Sequence, residues 1–231
     1  MRIARSGPLW ACLAVSLGGC AGSAPLAEIV SALVEQEWGS QDDAQRVGTP
    51  NPAYRYLRVE AQGRAPAFMV LGYVDAHPQG DIEVWYSSKR ELLKIQNGRI
   101  VGTAGLEVDW RAVQFPLAPP PWTALPAAGA TFQRTRDEMP GHRYSISEQM
   151  ELRPWQGLPP IGLPTSLGAD QARGYTWFRE TTRSSTADAV PPAWFAWGLH
   201  RGTPTVVYSE QCLSDTFCLK LQRWPLQEGG V

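Results

Sequence analysis

The spacing of apolar positions changes along the chain from a helical pattern to an extended one. Within residues 26–34, apolar side chains recur three and four positions apart, and Gly39 follows where such helices commonly end. This pattern predicts a short amphipathic helix near the N-terminus that covers part of the core. From residue 54 onward, short segments rich in β-branched and aromatic residues alternate with turn residues, and these segments predict β-strands.

The predicted strands are short and follow one another closely, as in a β-meander. Asn97-Gly98 separates two of them and is the dipeptide preferred in two-residue hairpins, and residues 202–204 predict a further turn. Two proline-rich segments, 115–126 and 154–164, predict connections without strand pairing that divide the strands into two groups. The predicted strands cover residues 54–60, 67–74, 83–86, 92–95, 100–101, 131–136, 144–152, 175–182, 194–199, 205–209 and 217–224.

Together these elements predict a single mainly-β domain over residues 26–231. About ten antiparallel strands with one short N-terminal amphipathic helix are typical of an antiparallel β-sandwich or an open β-barrel. Both architectures bury alternate side chains of each strand, so the pattern alone does not choose between them.

The first twenty residues have the pattern of a bacterial lipoprotein signal. Two arginines precede an apolar segment, residues 9–17, which is far shorter than the ~20 residues needed to cross a bilayer. Leu17-Gly18-Gly19-Cys20 then matches the lipobox, in which small residues fit the signal peptidase and the cysteine accepts the lipid. The sequence therefore predicts a signal peptide over residues 1–19.

Cys20 is the predicted site of lipidation, and residues 20–25 are the predicted tether. Three acyl chains on this residue exceed the two signals that stable membrane anchoring requires. The next residue is Ala21 and not the aspartate that commonly retains lipoproteins in the inner membrane. We therefore expect a lipid anchor in the outer membrane of a Gram-negative bacterium, facing the periplasm. The alternative is ordinary cleavage after small residues beside an unmodified thiol.

The charge of the mature chain argues against a nucleic-acid partner. Removal of the signal peptide leaves 212 residues with 19 basic and 22 acidic side chains, a net charge of about −3. Such a balance provides no basic excess to neutralise phosphates. Nine of the ten tryptophans remain in the mature chain, and this number indicates a packed core or a stacking surface.

Cys212 and Cys218 are the two cysteines that remain after Cys20. An even pair in an oxidising compartment predicts a disulfide, which here would clip the loop between two predicted strands. Closing so short a loop stabilises the fold by ~2–3 kcal/mol. The alternatives are a redox dithiol or half of a metal site.

The sequence contains few residues in patterns that would support catalysis. Its three histidines, His77, His142 and His200, are scattered without metal-ligand spacing, and no nucleophile-elbow or phosphate-binding motif is present. Ser145 and Ser147 lie near His142, but a serine close to a histidine in sequence is common. We therefore predict no catalytic residues, no metal and no cofactor.

Paired carboxylates are the remaining pattern that would suggest an enzyme, in this case one acting on glycans. Asp137-Glu138 and Glu107 with Asp109 are the available pairs, and we interpret both as solvated strand ends or turns.

Aromatic side chains crowd the C-terminal half. They are Tyr175, Trp177, Trp194, Phe195 and Trp197. Aromatic residues on strands usually form core, whereas exposed tryptophans stack on sugar rings, so Trp177, Trp194 and Trp197 are candidate contacts for a glycan or a partner. Trp194 and Trp197 are three positions apart, which predicts side chains on opposite faces of one strand and at least one of them in the core.

Several segments resemble the YjbF/GfcB family of outer-membrane lipoproteins. They are residues 54–59 and 68–73, 97–101 and 103–106, 177–180, and the hairpin 194–204. The resemblance implies an accessory role in exopolysaccharide or group 4 capsule export, beside a periplasmic partner and a large outer-membrane β-barrel protein. It transfers no catalytic residues, and the cysteine pair departs from the family pattern.

We therefore expect a non-enzymatic, lipid-anchored β protein that serves polysaccharide secretion. One alternative is a carrier of lipids or lipoproteins, whose open barrel would enclose an apolar cavity. Another is a glycan-modifying enzyme. A filled barrel interior would favour the export role, a hollow one the carrier, and a carboxylate pair in a groove the enzyme.

Overall fold

A computed structural model describes residues 51–160, 162–184 and 190–225 of the chain. The predicted signal peptide, the tether with Cys20 and the helix over residues 26–34 lie outside these residues. No helix in the described ranges combines the length and the apolar character needed to cross a membrane.

Twelve strands form one antiparallel sheet that rolls into a nearly closed barrel. The order is β5-β4-β3-β2-β1-β12-β11-β10-β9-β8-β7-β6, so the first strand pairs with the last. This arrangement confirms the mainly-β prediction in its barrel form. The strands are β1 (Tyr56–Ala61), β2 (Ala67–Asp75), β3 (Ile82–Tyr86), β4 (Leu92–Gln96), β5 (Arg99–Ala104), β6 (Asp109–Gln114), β7 (Ala130–Met139), β8 (Arg143–Trp155), β9 (Thr176–Ser184), β10 (Ala193–His200), β11 (Thr203–Cys212) and β12 (Cys218–Trp224).

Two tight turns follow directly from local sequence. Asn97 and Gly98 join β4 to β5 with φ of 49° and 82°, the pair of positive angles that a type I′ turn requires. A β-carbon on Gly98 would lie 2.4 Å from a methyl of Val206, so the close approach of β11 also demands glycine here. Arg201 and Gly202 form an equivalent turn between β10 and β11, one residue before the predicted position.

The predicted division of the strands into two groups is wrong. Residues 115–126 connect β6 to β7, and these two strands pair directly. Pro154 and Trp155, placed by sequence in the second connection, continue β8 and pair with Phe178 and Trp177. Proline removes one backbone N–H donor and therefore one hydrogen bond of a ladder. It does not prevent the chain from returning to pair with an adjacent strand.

Two further elements were missed by the sequence patterns. β6 contains a bulge between Trp110 and Ala112, which breaks the alternation that identifies a strand. The short helix α1 (Ala169–Arg173) lies in the connection between β8 and β9. Its buried Ala172 packs on a cluster on the outer face of the barrel, which also contains Trp177 and Tyr208.

Large side chains fill the barrel. One cluster includes Trp85, Leu93 and Trp110, and a second includes Phe178 and Phe195. The space left between Leu57, Ile95, Val206 and Leu221 is about 10 Å³, no more than one water molecule needs.

Part of this filling comes from the first proline-rich segment. A 3-10 helix (Trp122–Ala124) inserts Trp122, whose ring lies 5.1 Å from that of Phe178 and 5.0 Å from that of Phe195. The Trp122 indole N–H donates to the Asn97 carbonyl at 3.0 Å. The segment therefore serves as a plug, and the barrel is filled rather than hollow where these clusters lie.

Side chains close the barrel at the boundary between β5 and β6, which we call the seam. Among the described strands, these two have a ladder partner on one side only. Thr103 Oγ1 donates to Asp109 Oδ1 and accepts from the Trp110 N–H, both at 2.9 Å. Gln211, from β11, accepts from the Ile100 N–H and donates to the Gly98 carbonyl, both at 2.9 Å. These bonds satisfy backbone groups that an open sheet edge would leave exposed.

Candidate functional site

The predicted disulfide is present. Cys212 and Cys218 are bonded to each other and are register partners at the turn between β11 and β12. The bond closes the loop of this hairpin, beside the cluster that contains Leu213 and Phe217. Its place in a hairpin next to the core gives it a structural role.

The candidate tryptophans occupy three different environments. Trp177 is 4% exposed, and its indole N–H donates to the Ala172 carbonyl at 2.8 Å, so the core interpretation applies to it. Trp194 and Trp197 are half-buried and point to opposite faces of β10, as their spacing predicts. Trp197 packs against the interior cluster, with its ring 6.4 Å from that of Trp122.

The ring of Trp194 lies on the outer face, edge-on to Trp155 at 5.0 Å. Trp155 is 39% exposed and was not among the predicted contacts. It falls in the second proline-rich segment, where the sequence pattern gave no strand to orient it. Trp155 and Trp194 thus form a partly exposed aromatic surface on this face.

The interpretation of the acidic pairs as solvated is wrong for two of their members. Glu138 is buried and is ion-paired with Arg136 and Arg143. Asp109 is buried at the seam, where it also accepts the N–H groups of Gly105 and Leu106 at 3.0 and 3.1 Å. In both cases, nearby donors compensate the loss of hydration of the carboxylate, which the strand pattern alone does not reveal.

The buried carboxylates inside the barrel are bound by arginines. Glu148 on β8 accepts from Arg134 Nε at 2.5 Å and from Arg136 Nε at 3.0 Å. Both guanidinium groups also lie over the Trp110 ring, 4.6 and 4.9 Å from its centroid. Since each oxygen of Glu148 already accepts from an arginine, the group is built to hold neighbouring strands together rather than to exchange protons with a substrate.

A second buried pair joins the plug to the wall of the barrel. Arg99 Nε donates to Glu180 Oε2 at 2.9 Å, and the Arg99 guanidinium lies 4.3 Å from the Trp122 ring centroid. Such stacking is favourable because the guanidinium is weakly hydrated and planar.

The histidines and serines considered above do not converge. His77 is exposed in the β2–β3 loop, His142 lies in a turn with φ of 52°, and Ser145 binds Asp137 only through its backbone N–H. Within the described ranges, no group of three or more His, Cys, Asp or Glu side chains is arranged to hold a metal ion.

His200 lies in a concavity of about 140 Å³ that also contains Arg55, Arg201, Arg223 and Glu83. Burial, followed by the charges of Arg223, Arg201 and Arg55, lowers the pKa of His200 to about 4 against the opposing effect of Glu83. Arg223 donates to both oxygens of Glu83, at 3.0 and 2.7 Å. Arg223 and Glu83, the charged pair in this concavity, therefore already neutralise each other.

A larger depression of about 560 Å³ lies beside the seam, and we call it the seam groove. It is open to solvent and carries two cationic side chains, Lys94 from β4 and Arg111 from β6. Sequence reasoning missed both cations, because β4 and β6 are not ladder partners and come together only when the barrel closes. Its lining residues are His77, Pro78, Gln79, Ile82, Lys94, Gln96, Val101, Arg111, Ala112, Val113, Gln114 and Phe115.

Among the comparisons with known proteins, a family model shows the family and a solved structure shows the fold. Residues 28–157 match the family model described as group 4 capsule polysaccharide lipoprotein GfcB, YjbF. The fold matches the crystal structure of the hypothetical lipoprotein YmcC from Escherichia coli K12 with a TM-score of 0.58 and 19% identity. That match covers 87% of this chain and 94% of the other. No curated protein matches the sequence.

Proposed function

The chain belongs to the YjbF family of group 4 capsule polysaccharide lipoproteins, and on that basis we propose that it assists secretion of an exopolysaccharide or capsule without catalysing a reaction. In this proposal Cys20 carries the lipid, which anchors the barrel to the periplasmic face of the outer membrane. The protein acts there beside a periplasmic protein and an outer-membrane export protein.

The match to the family model is the observation that carries this proposal. Its residues, 28–157, include strands β1 to β8 of the barrel. They therefore include the seam, the plug residue Trp122 and most of the buried ion pairs. Part of what fills and closes the barrel thus lies within the residues that the family model matches, whereas Phe178, Phe195 and Gln211 lie outside them.

The filled interior supports an export role over a lipid carrier. Ligand sites for small molecules usually measure about 300–1,000 Å³ and are mostly apolar. The space between Leu57, Ile95, Val206 and Leu221 is about 10 Å³, and the plug residue Trp122 packs into the interior cluster against Phe178.

The pairing of the buried carboxylates supports a non-enzymatic role. A glycan-cleaving site needs one carboxyl group that can donate a proton and a second that stays ionised, both facing the substrate. Here Glu138, Glu148 and Glu180 are buried against arginines and face the interior. No acidic side chain is among the described residues that line the seam groove.

Deletion of the gene tests the proposal directly. We expect the deletion strain to release or display less polysaccharide, and expression of the wild-type chain to restore the amount. We also expect the purified protein to leave the isolated polymer unchanged in length and composition. Normal polysaccharide output from the deletion strain would refute the export role, and mislocalised lipoproteins in that strain would favour the carrier instead.

A further inference from the structure

We propose that the seam groove binds a segment of polysaccharide that carries carboxylate groups, through Lys94 and Arg111. This inference rests on the proposed function and adds to it a binding site and a chemical class of ligand.

The first support is the charge of the groove. Lys94 is half-buried and Arg111 is exposed, and neither side chain forms an ion pair or a hydrogen bond with another described residue. Since the described lining contains no aspartate or glutamate, nothing in it neutralises the two cations. Two uncompensated cations in one depression concentrate positive potential and attract an anionic polymer.

The second support is the backbone geometry around both cations. Arg111 is the extra residue of the bulge in β6, opposite Glu138 and Asp137 of β7. A second bulge, between β4 and β5, makes Val101 the extra residue beside Lys94. Bulges commonly redirect a side chain next to a functional site, and here both strands that border the seam carry one at the groove.

Gly102 gives the Lys94 side chain its room. It is the register partner of Lys94, and a β-carbon there would lie 3.3 Å from Lys94 Cδ. That is tighter than most side-chain contacts, so a residue with a β-carbon here would make the lysine side chain move by a few tenths of an ångström.

The β2–β3 loop forms a wall of the groove that is already fixed. Gln79 Nε2 donates to the Phe115 carbonyl at 3.0 Å, and Gln96 Nε2 donates to the Gly80 carbonyl at 2.7 Å. His77 Nδ1 accepts the Gln79 backbone N–H at 3.2 Å and lies 2.8 Å from Gln96 Nε2, so its ring is held in the same wall. A wall held in this way needs little reordering on binding.

The lining also suits the apolar face of a sugar ring. Ile82 and Val113 are half-buried and line the groove together with the cations and amides, whereas the lining residues Val101 and Phe115 are buried. A glycan with carboxylates presents both kinds of surface, since its ring C–H groups are apolar and its substituents are polar. A volume of about 560 Å³ lies within the usual range of ligand sites, and the open shape lets a longer polymer extend beyond it.

Binding of a galacturonate hexasaccharide to the full chain, purified in detergent, tests the site by calorimetry. We expect binding that weakens as salt is added, and no binding of the neutral maltohexaose. Replacing both cations, Lys94→Gln with Arg111→Gln, should lower the affinity about tenfold. The matched control, Lys89→Gln with Arg183→Gln, removes two exposed cations outside the groove and should bind as the wild type does.

A charge-preserving variant separates binding from folding. Lys94→Arg with Arg111→Lys should keep the affinity within about threefold, because it retains both charges. Equal affinity of the wild type and the Gln variant, or no binding of the hexasaccharide by the wild type, would overturn the proposal. So would loss of binding to phosphatidylglycerol vesicles in the Gln variant while hexasaccharide binding is unchanged, since that places a lipid headgroup in the groove.

Export assays distinguish failure of the site from failure of the function. If the Gln variant restores polysaccharide output to the deletion strain as fully as the wild type, the groove is not the polymer site but the export role stands. If the deletion strain exports normally, the export role itself fails.

Discussion

At the scale of single residues, the barrel depends on charges that are buried with their partners. Glu148 is 1% exposed and holds Arg134 and Arg136, whereas Glu151 on the same strand pairs with Arg153 near solvent. Removing one member of a buried ionic group leaves the others without compensation, whereas an exposed pair is screened by water.

Glu148→Gln should therefore lower the free energy of unfolding by about 3–5 kcal/mol. Glu151→Gln, the same change three residues along β8, should cost less than about 1 kcal/mol. Urea denaturation followed by tryptophan fluorescence measures both. Similar losses in the two variants would mean that burial of Glu148 does not determine its contribution.

His200 should make stability depend on pH. Its folded-state pKa is lowered to about 4, from an ordinary value of 6.5, by burial and by Arg223, Arg201 and Arg55. Between these values the unfolded chain binds a proton that the folded chain does not, so stability falls as the pH drops from 6.5 towards 4.

We expect His200→Gln to reduce this loss, and His142→Gln, in an exposed turn, to leave it unchanged. Urea midpoints measured across that pH range compare the two variants with the wild type. If the urea midpoint of His200→Gln falls with decreasing pH as steeply as that of the wild type, other groups account for the acid sensitivity.

At the scale of elements, β5 shows how the backbone groups of a strand can be hydrogen-bonded although the strand has a ladder partner on one side only. It is buried from Arg99 to Thr103, and Gln211 reaches its backbone from β11. We expect Gln211→Met to cost about 2–4 kcal/mol, because it leaves the Ile100 N–H and the Gly98 carbonyl unpaired.

Amide hydrogen exchange tests this role more closely than global stability. In Gln211→Met, the Ile100 amide should exchange faster relative to amides in β8. The control Gln149→Met changes an exposed glutamine on β8. It should change neither the free energy of unfolding nor the free energy of exchange of the Ile100 amide by more than about 0.5 kcal/mol. Unchanged protection of Ile100 would contradict the proposed support.

The same elements show what sequence patterns can and cannot predict. The turn at Asn97-Gly98 was predictable because these two residues favour the positive φ angles that such a turn requires. β6 was missed because its bulge breaks the alternation, and Trp122 was missed because it lies among prolines rather than on a strand. A large aromatic ring between prolines still needs burial, and that was the one signal that could have indicated the plug.

At the scale of the molecule, pairs of distant residues could not be predicted from the sequence. Lys94 and Arg111 lie on strands that are not ladder partners, and Arg99 reaches Glu180 across the interior. The barrel form itself depends on the pairing of β1 with β12, which no local pattern encodes. The alternation of apolar and polar positions was enough to predict the fold class. The barrel form and the contacts between distant residues depend on closure of the sheet.

Attachment to the membrane is a further prediction at this scale. Cys20→Ala should leave the chain unprocessed or in the soluble fraction, because the thiol of Cys20 is its predicted anchor. Cys12→Ala, inside the apolar part of the signal, should leave attachment unchanged. Fractionation of cells labelled with palmitate measures both variants. Continued lipid incorporation into Cys20→Ala would show that another residue is modified.

The pairing of Tyr56 with Trp224 sets the order in which the molecule can be completed. The meander β1 to β5 can form from early parts of the chain, but one edge of β1 has no neighbour until the last strand has been made. Contacts between residues so far apart form slowly, and an unpaired edge meanwhile invites association with other chains. Truncation before Cys218 would therefore remove one of the twelve described strands and also leave β1 and β11 with open edges, turning a nearly closed barrel into a template for aggregation.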